Sequence, residues 1–213
     1  MVAILRPSFT SSSDQESPHI QELIAKLELE PHIEGGFFKE TDRAPDTVPS
    51  PFPDEKSSTS DLAPKRPGFE PNVRNSSTTI FYLLTPNGPQ GGFHRNKART
   101  VHTLHRGRGR YVLIHADEEG KQKRIESFVV GHNVAKGEKL QWIVEGGKYK
   151  ASYLLPDEEG GAESHGGLLI SETVVPGFEF CDHDFLSAGG LKDLVGDEEA
   201  KELSWLLSPF GRE

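Results

Sequence analysis

Seven short β signals follow one another between Thr78 and Val175, and turn signals separate them. They are Thr78–Leu84 (TTIFYLL), Thr100–Leu104, Arg110–Ala116 (RYVLIHA), Arg124–Gly131 (RIESFVVG), Leu140–Val144, Ala151–Leu155 and Leu168–Val175. The turns fall at Pro86-Asn87-Gly88, Asp117–Gly120, Ala135–Gly137, Gly146-Gly147 and Asp157–Gly161. β-Branched and aromatic side chains fit a pleated, half-buried surface, while Gly, Pro, Asn and Asp supply the backbone shapes of tight turns. Strands this short and closely spaced predict an antiparallel sandwich or barrel, mainly β. The sequence shows neither a βαβ pattern nor an internal repeat. The Gly-x-Gly within Arg106–Arg110 precedes no helix signal and does not read as a phosphate loop.

Helices are expected only at the ends. Residues 1–16 are polar and Ser-rich and read as a disordered tail. Ser17 is placed to cap a short helix with Pro18 at its first position; Ile20, Leu23, Ile24 and Leu27 share one face, and Pro31 stops it near Glu30. Gly35-Gly36 reads as a turn into a strand beginning at Phe37. Residues 44–72, rich in Pro, Ser and charge, read as a long loop inserted into a single domain spanning 17–213, with a lid as the functional alternative. A closing helix is expected from Asp197, carrying Ala200, Leu203, Leu206 and Leu207 on one side.

A net charge of -9 argues against nucleic acid as a partner, because phosphate contacts need a basic face. The lone cysteine, Cys181, excludes an internal disulfide and any zinc site built on several cysteines. The opening MVAILRPSFTSSS has an apolar run of four residues, too short for a signal h-region or a membrane span. The expectation is a cytoplasmic protein, with the nucleus as a further compartment and no membrane partner.

Chemistry concentrates in residues 91–111, where His94, His102 and His105 stand among arginines and glycines without one acidic residue. Histidine is the commonest metal ligand and the usual proton carrier near neutral pH. Successive strand side chains point to opposite faces. His105 therefore shares a face with Val101 and Thr103, and His102 with Leu104, so the three histidines are not expected to converge as a set.

Five segments in order, LELEPHIEGGFFKETDR (27–43), TTIFYLL (78–84), GGFHR (91–95), GEKLQWIVEGG (137–147) and TVVPGFEF (173–180), resemble the cupin superfamily, in a branch catalogued as a domain of unknown function. The resemblance spans roughly residues 18–188. It implies a double-stranded β-helix, the cupin jelly-roll barrel, often dimeric, with a ligand pocket at the barrel mouth. Metal-binding cupins place two histidines and a glutamate in a first motif and a further histidine in a second. Here His94 matches the first histidine position, the glutamate position falls near Thr100, and the next histidine position falls on Thr103. In the second motif Lys148, Tyr149 or Lys150 stands where the metal histidine is expected. An orthodox site of three histidines and one glutamate is absent on this mapping.

The reading that follows is a small-molecule-binding homodimer using acid–base chemistry on a polar, anionic metabolite, as an isomerase, epimerase or lyase. His94 would move the proton, with Tyr149 or Glu34 assisting. Arg43 and Arg95 would fix the anion, and His102, His105, Tyr82 and Trp142 would line the pocket. No cofactor is required on this reading. The alternatives are a metal-dependent dioxygenase or decarboxylase, with His94, either His102 or His105, and a carboxylate such as Glu34 around a divalent ion, and a non-catalytic binding protein. His183 two residues after Cys181 offers a thiol–imidazole pair, though Asp182, His183 and Asp184 read better as a polar strand end.

Overall fold

The computed structural model describes residues 5–10, 15–52, 57, 59, 62 and 66–212. All seven expected strands form, as does the one expected from Phe37, and tertiary pairing adds five more among the described residues. In chain order the elements are α1 (Pro18–Lys26), β1 (Glu30–Pro31), β2 (Phe37–Arg43), β3 (Thr47–Pro49), β4 (Val73–Asn75), β5 (Thr78–Leu84), β6 (Gln90–Asn96), β7 (Arg99–Arg106), β8 (Gly109–Ile114), β9 (Ile125–Val130), β10 (Gln141–Val144), β11 (Tyr149–Leu154), β12 (Leu168–Val175), β13 (His183–Phe185), α2 (Ala188–Val195) and α3 (Asp197–Leu203). Two antiparallel sheets result, ordered β1-β2-β5-β12-β7-β10 and β13-β6-β11-β8-β9. They face each other as a jelly-roll barrel.

The alternation that makes a strand also assigns the layers. Tyr82, Leu84, Leu104, Tyr111, Leu113, Trp142, Leu154, Leu168 and Ile170 come from both sheets and meet in the barrel interior. The odd-numbered residues of β11, Tyr149, Ala151 and Tyr153, point the other way. They join Phe93, Val112 and Ile114 under a cover of Leu191, Val195, Leu203, Leu206 and Leu207 from the C-terminal segment. Helix α1 covers the outer face of the other sheet, where Leu23, Ile24 and Leu27 pack on Leu83 and Leu169. Burying a leucine fully, as at Leu206, contributes about 1.5–3 kcal/mol. The ends of the chain therefore hold the sheets from outside, and the apolar cluster leaves only one end of the interior to polar groups.

The expected first helix forms, with Pro18 at its first position and the Ser17 hydroxyl accepting the Ile20 N–H at 3.4 Å. The C-terminal end departs from expectation by having two helices. Ser187 caps α2 through the Gly190 N–H, and Asp197 is the first residue of α3, with Gly196 in the capping position. Gly189-Gly190 in the first turn of α2 hid it, since glycine is a poor helix former. In the segment expected as a disordered tail, Leu5 is buried in the outer core and Phe9 packs against the interior cluster. Residues 1–4 and 11–14 of that segment lie outside the described residues. Of residues 44–72, β3 pairs with β4, and the buried Thr59 hydroxyl lies 2.8 Å from the Phe180 carbonyl and 2.7 Å from that of His183. Among the described residues no helix is long and apolar enough to cross a membrane.

Candidate functional site

Two polar clusters occupy one end of the interior, and each is placed by a local backbone device. Glu34 sits in the turn between β1 and β2. Gly35 there has φ +108°, and a side-chain carbon on it would lie 2.3 Å from the Gln90 carbonyl oxygen. Only glycine lets the turn lie this close to β6. The Gly92 N–H then bonds the Glu34 carbonyl at 2.8 Å, and the Tyr82 hydroxyl donates to the Gly35 carbonyl at 2.8 Å. Together they hold the Glu34 side chain, 8% exposed, inside the barrel.

His94 faces inward because β6 carries a bulge. Lys150 pairs with His94 and Ser152 with Gly91, so Gly92 and Phe93 together stand against Ala151. The extra residue turns Phe93 outward into the helix-covered core and returns His94 to the interior. His94 Nδ1 lies 2.8 Å from the Gly92 carbonyl and must donate its proton there. Nε2 then carries the lone pair. It has no hydrogen-bond partner, yet lies 3.3 Å from Glu34 Oε2.

His183, on β13 opposite Asn96, completes the first cluster. Its Nε2 lies 3.0 Å from Glu34 Oε1, and its ring stacks on that of His94 at 5.2 Å between centroids. One ligand atom from each of Glu34, His94 and His183 falls within 4.8 Å of the others. Burial pushes the His94 imidazole down to about 3, with Glu34 opposing and Lys150 reinforcing the shift. Burial also pushes the Glu34 carboxyl up, but the surrounding His94, His32 and His183 outweigh it and hold the group well below its usual range. Glu34 is thus biased toward the carboxylate and His94 toward the neutral imidazole. His32 Nδ1 accepts the Glu34 N–H at 3.4 Å and lies 3.6 Å from Oε2.

The second cluster is Lys150, Glu172 and His102. The Lys150 ammonium, 2% exposed, lies 2.5 Å from Glu172 Oε2 and 2.9 Å from His102 Nε2. Burial would raise the Glu172 carboxyl, but Lys150 and His102 pull it well below the ordinary range. Burial and Lys150 lower His102, which also stacks on Trp142 at 5.1 Å.

A cavity of about 310 Å³ opens beside Glu34 and Glu172. Phe38, Ile80, Val174, Phe178 and Phe180 give it an apolar wall; His32, Asn96, Arg43, Arg66 and Glu179 supply polar groups. A larger groove of about 820 Å³ lies near Arg106, His132 and Glu158, outside both clusters. Its cations are already engaged, Arg106 by the Gly166 carbonyl, Arg108 by Glu138 and Lys136 by Glu159, so the smaller cavity is the better candidate.

The structure brings Glu34, His94, His102, Tyr82 and Trp142 into the interior and disperses the rest of the expected set. Tyr149 points outward: its hydroxyl donates to Asp184 Oδ1 at 3.0 Å and Arg95 lies over its ring at 4.7 Å. Both faces of β11 are buried, so polarity could not tell Tyr149 from the inward Lys150. Arg95 itself pairs with Asp184 at 2.8 Å. His105 faces out against Phe81, so His94, His102 and His105 do not form one ligand set. Trp142 is buried against His102 and Tyr111 and is not part of the cavity wall. Arg43 reaches the cavity, but all five of its N–H groups are committed, to both Glu40 oxygens, Asn75, Glu179 and the Phe178 carbonyl. It has no donor left for an anion. Cys181 lies against Arg74 and Asp182, while His183 turns to Glu34, so no thiol–imidazole pair forms. His183, Lys150, Glu172 and Asn96 are the interior residues that strand alternation alone did not single out.

Comparison with known proteins gives a consistent assignment. A family profile described as "Cupin superfamily (DUF985)" matches residues 21–186. An uncharacterized protein of Saccharomyces cerevisiae is 46% identical over 206 residues, covering 96% of this chain and 94% of the yeast protein. Among solved structures, a hypothetical protein from Leishmania major is 27% identical with a TM-score of 0.69, covering 88% of this chain and 97% of its own. The Shewanella oneidensis protein SO0799 is 24% identical with a TM-score of 0.66, covering 90% and 98%, and supports the fold.

Proposed function

The chain belongs to the cupin superfamily, in the branch described as DUF985, and within it we propose a metal-supported site at which Glu34, His94 and His183 hold a divalent transition-metal ion beside a small-ligand cavity. The observation that carries this reading is the contact between His94 Nε2 and Glu34 Oε2. A lone pair faces an ionised carboxylate at 3.3 Å without a hydrogen bond between them. Buried carboxylates and neutral imidazoles meet in this way around a cation. Two imidazoles and one carboxylate suit iron, manganese, cobalt, nickel or zinc. The His94 Nδ1–H bond to the Gly92 carbonyl supplies the outer-shell contact that fixes a ligating tautomer. Such an ion, when bound, polarises a ligand oxygen as a Lewis acid. The protein's own part is to hold Glu34 ionised, to keep His94 unprotonated and to screen the ligand behind Phe38, Phe178 and Phe180.

A second reading is metal-free proton transfer from a bound metabolite to His94 Nε2. The same 3.3 Å contact would then carry a proton between His94 and Glu34. An imidazole pushed down to about 3 is a weak base at neutral pH, which favours the metal reading.

Elemental analysis of untagged protein, followed by calorimetric titration with Mn²⁺, Co²⁺, Ni²⁺ and Zn²⁺, separates the two. Stoichiometric binding that is lost in His94→Ala and His183→Ala supports the ion site. Substoichiometric metal in wild type, with no binding heat for any of the four ions, sinks it and leaves proton transfer.

A further inference from the structure

We propose that the cavity ligand is a small uncharged polyhydroxyl molecule, selected by a wall that leaves three side-chain oxygens without donors among the described residues and engages most of its arginine N–H groups. The inference deepens the proposed site and rests on that site being the place where a ligand binds.

The side chains that could grip an anion are largely engaged with the protein itself. Arg43 has all five donors engaged. Arg66 directs Nε and Nη2 to Glu179 Oε1 and Nη1 to the Pro67 carbonyl. Lys150 is held by Glu172 and His102. Three acceptor oxygens stand without a donor among the described residues. Asn96 donates its amide N–H to Thr100 Oγ1 at 3.4 Å, and its Oδ1 is buried without a partner. Glu172 lines the cavity and engages only Oε2 with Lys150, leaving Oε1 without a hydrogen bond among the described residues. Glu179 likewise concentrates Arg43 and Arg66 on Oε1 and leaves Oε2 without one.

A buried acceptor without a donor costs about 1–3 kcal/mol, and a ligand that supplies the donor recovers it. An incoming carboxylate or phosphate would bring further acceptors to a wall of acceptors. Hydroxyls supply donors and still offer lone pairs to an ion at Glu34, His94 and His183. The charged residues lining the cavity, Glu34, Glu40, Glu172 and Glu179 against Arg43 and Arg66, leave two negative charges, which a divalent ion cancels. With the ion in place the wall has no net charge to attract an ammonium or an anion, which leaves the uncharged polyol. At about 310 Å³ the cavity lies at the small end of ligand sites, and Phe38, Phe178 and Phe180 offer faces to C–H groups.

The test is calorimetric titration of the full chain, with and without Mn²⁺, using glucose and sorbitol as polyhydroxyl probes, citrate and inorganic phosphate as anions, and ethanolamine as an amine. Glucose or sorbitol is expected to bind while the anions and the amine do not. Asn96→Ala is expected to weaken polyol binding about three- to tenfold, the size of one hydrogen bond. Asn96→Asp, which keeps the acceptor, is expected to retain it, and decides the matter if the alanine variant fails to fold. Preference for citrate, phosphate or ethanolamine overturns the proposal, as does binding of neither polyol or loss of binding in Asn96→Asp. The Mn²⁺ heat is read separately, so polyol binding without Mn²⁺ binding would sink the ion site and leave this inference standing.

Discussion

Arg74 closes its guanidinium on both carboxylate oxygens of Asp182, at 2.6 and 3.1 Å, immediately before His183 in the chain. The same arginine donates to the Pro71 and Val73 carbonyls, so it ties the end of the long insertion to the strand that delivers His183. Breaking a buried pair by removing one partner destabilises by about 3–5 kcal/mol. Arg74→Ala is therefore expected to lower the thermal midpoint and also to weaken divalent-metal binding at a temperature where the variant is folded. A variant with lowered midpoint but wild-type metal affinity would show that Arg74 does not position His183.

Gly35→Ala tests the turn that carries Glu34. The substitution meets both a positive φ and the Gln90 carbonyl, and strained positions of this kind cost about 1–3 kcal/mol each. Gly68→Ala is the control: it also has positive φ, at +74°, but with no heavy atom near the added carbon. Urea midpoints should order wild type above Gly68→Ala above Gly35→Ala, and only the last should lose metal affinity.

These two positions show what could be read from the chain and what could not. The strands were legible because Thr78–Leu84 and Leu168–Val175 carry β-branched and aromatic runs between turns. His94 was legible because histidine among Gly and Arg stands out. The outward placement of Tyr149 was not, since Tyr149, Ala151 and Tyr153 pack under helices while Lys150 and Ser152 face the interior, and burial of both faces erases the polar–apolar alternation. The burial of His183 beside Glu34 was not legible, because it follows from pairing of β13 with β6 and from Asp182 meeting an arginine 108 residues earlier, contacts that local pattern does not encode. Strand β6 escaped notice because Gly91-Gly92 has little strand preference and is held in place by β11 and β13.

Lys150→Met should leave the Glu172 carboxylate buried without its ammonium, and destabilise by about 3–5 kcal/mol. Adding Glu172→Gln to it removes the stranded charge. Chemical denaturation of the two single variants and the double variant should give a double that is more stable than Lys150→Met alone. A double variant destabilised by the sum of the two single effects would mean that the pair is not energetically coupled.

Acid should destabilise the metal-free protein earlier than carboxylate titration alone would. His94 is pushed from 6.5 to about 3 on folding, so between those values the unfolded chain binds the extra proton. Stability is then complete above about pH 6.5 and falls as the pH drops toward 3. The depressed Glu172 carboxyl adds to the loss below its ordinary value of 4.5. Thermal midpoints measured in chelator from pH 7 to pH 4 should decline, and His94→Gln should flatten the portion above pH 5. An unchanged slope in that variant would remove His94 as the cause.

Metal should also report itself through stability. An ion that binds only the folded state adds about 2.7 kcal/mol at a free concentration one hundred times its Kd. Chelation should lower the wild-type midpoint accordingly and leave that of His183→Ala where it was. Equal responses in both proteins would place the ion elsewhere.

The bulge in β6 has a consequence at the level of the gene. Gly92 and Phe93 share one facing position against Ala151, so the inward direction of His94 depends on the two counting as one in the pairing. With one residue fewer at Gly92 or Phe93, plain alternation alone would set Gly91 against Ser152 and His94 against Lys150, so the bulge is what lets the longer strand keep the imidazole inward. An in-frame deletion there would remove the bulge and spare the direction of the histidine.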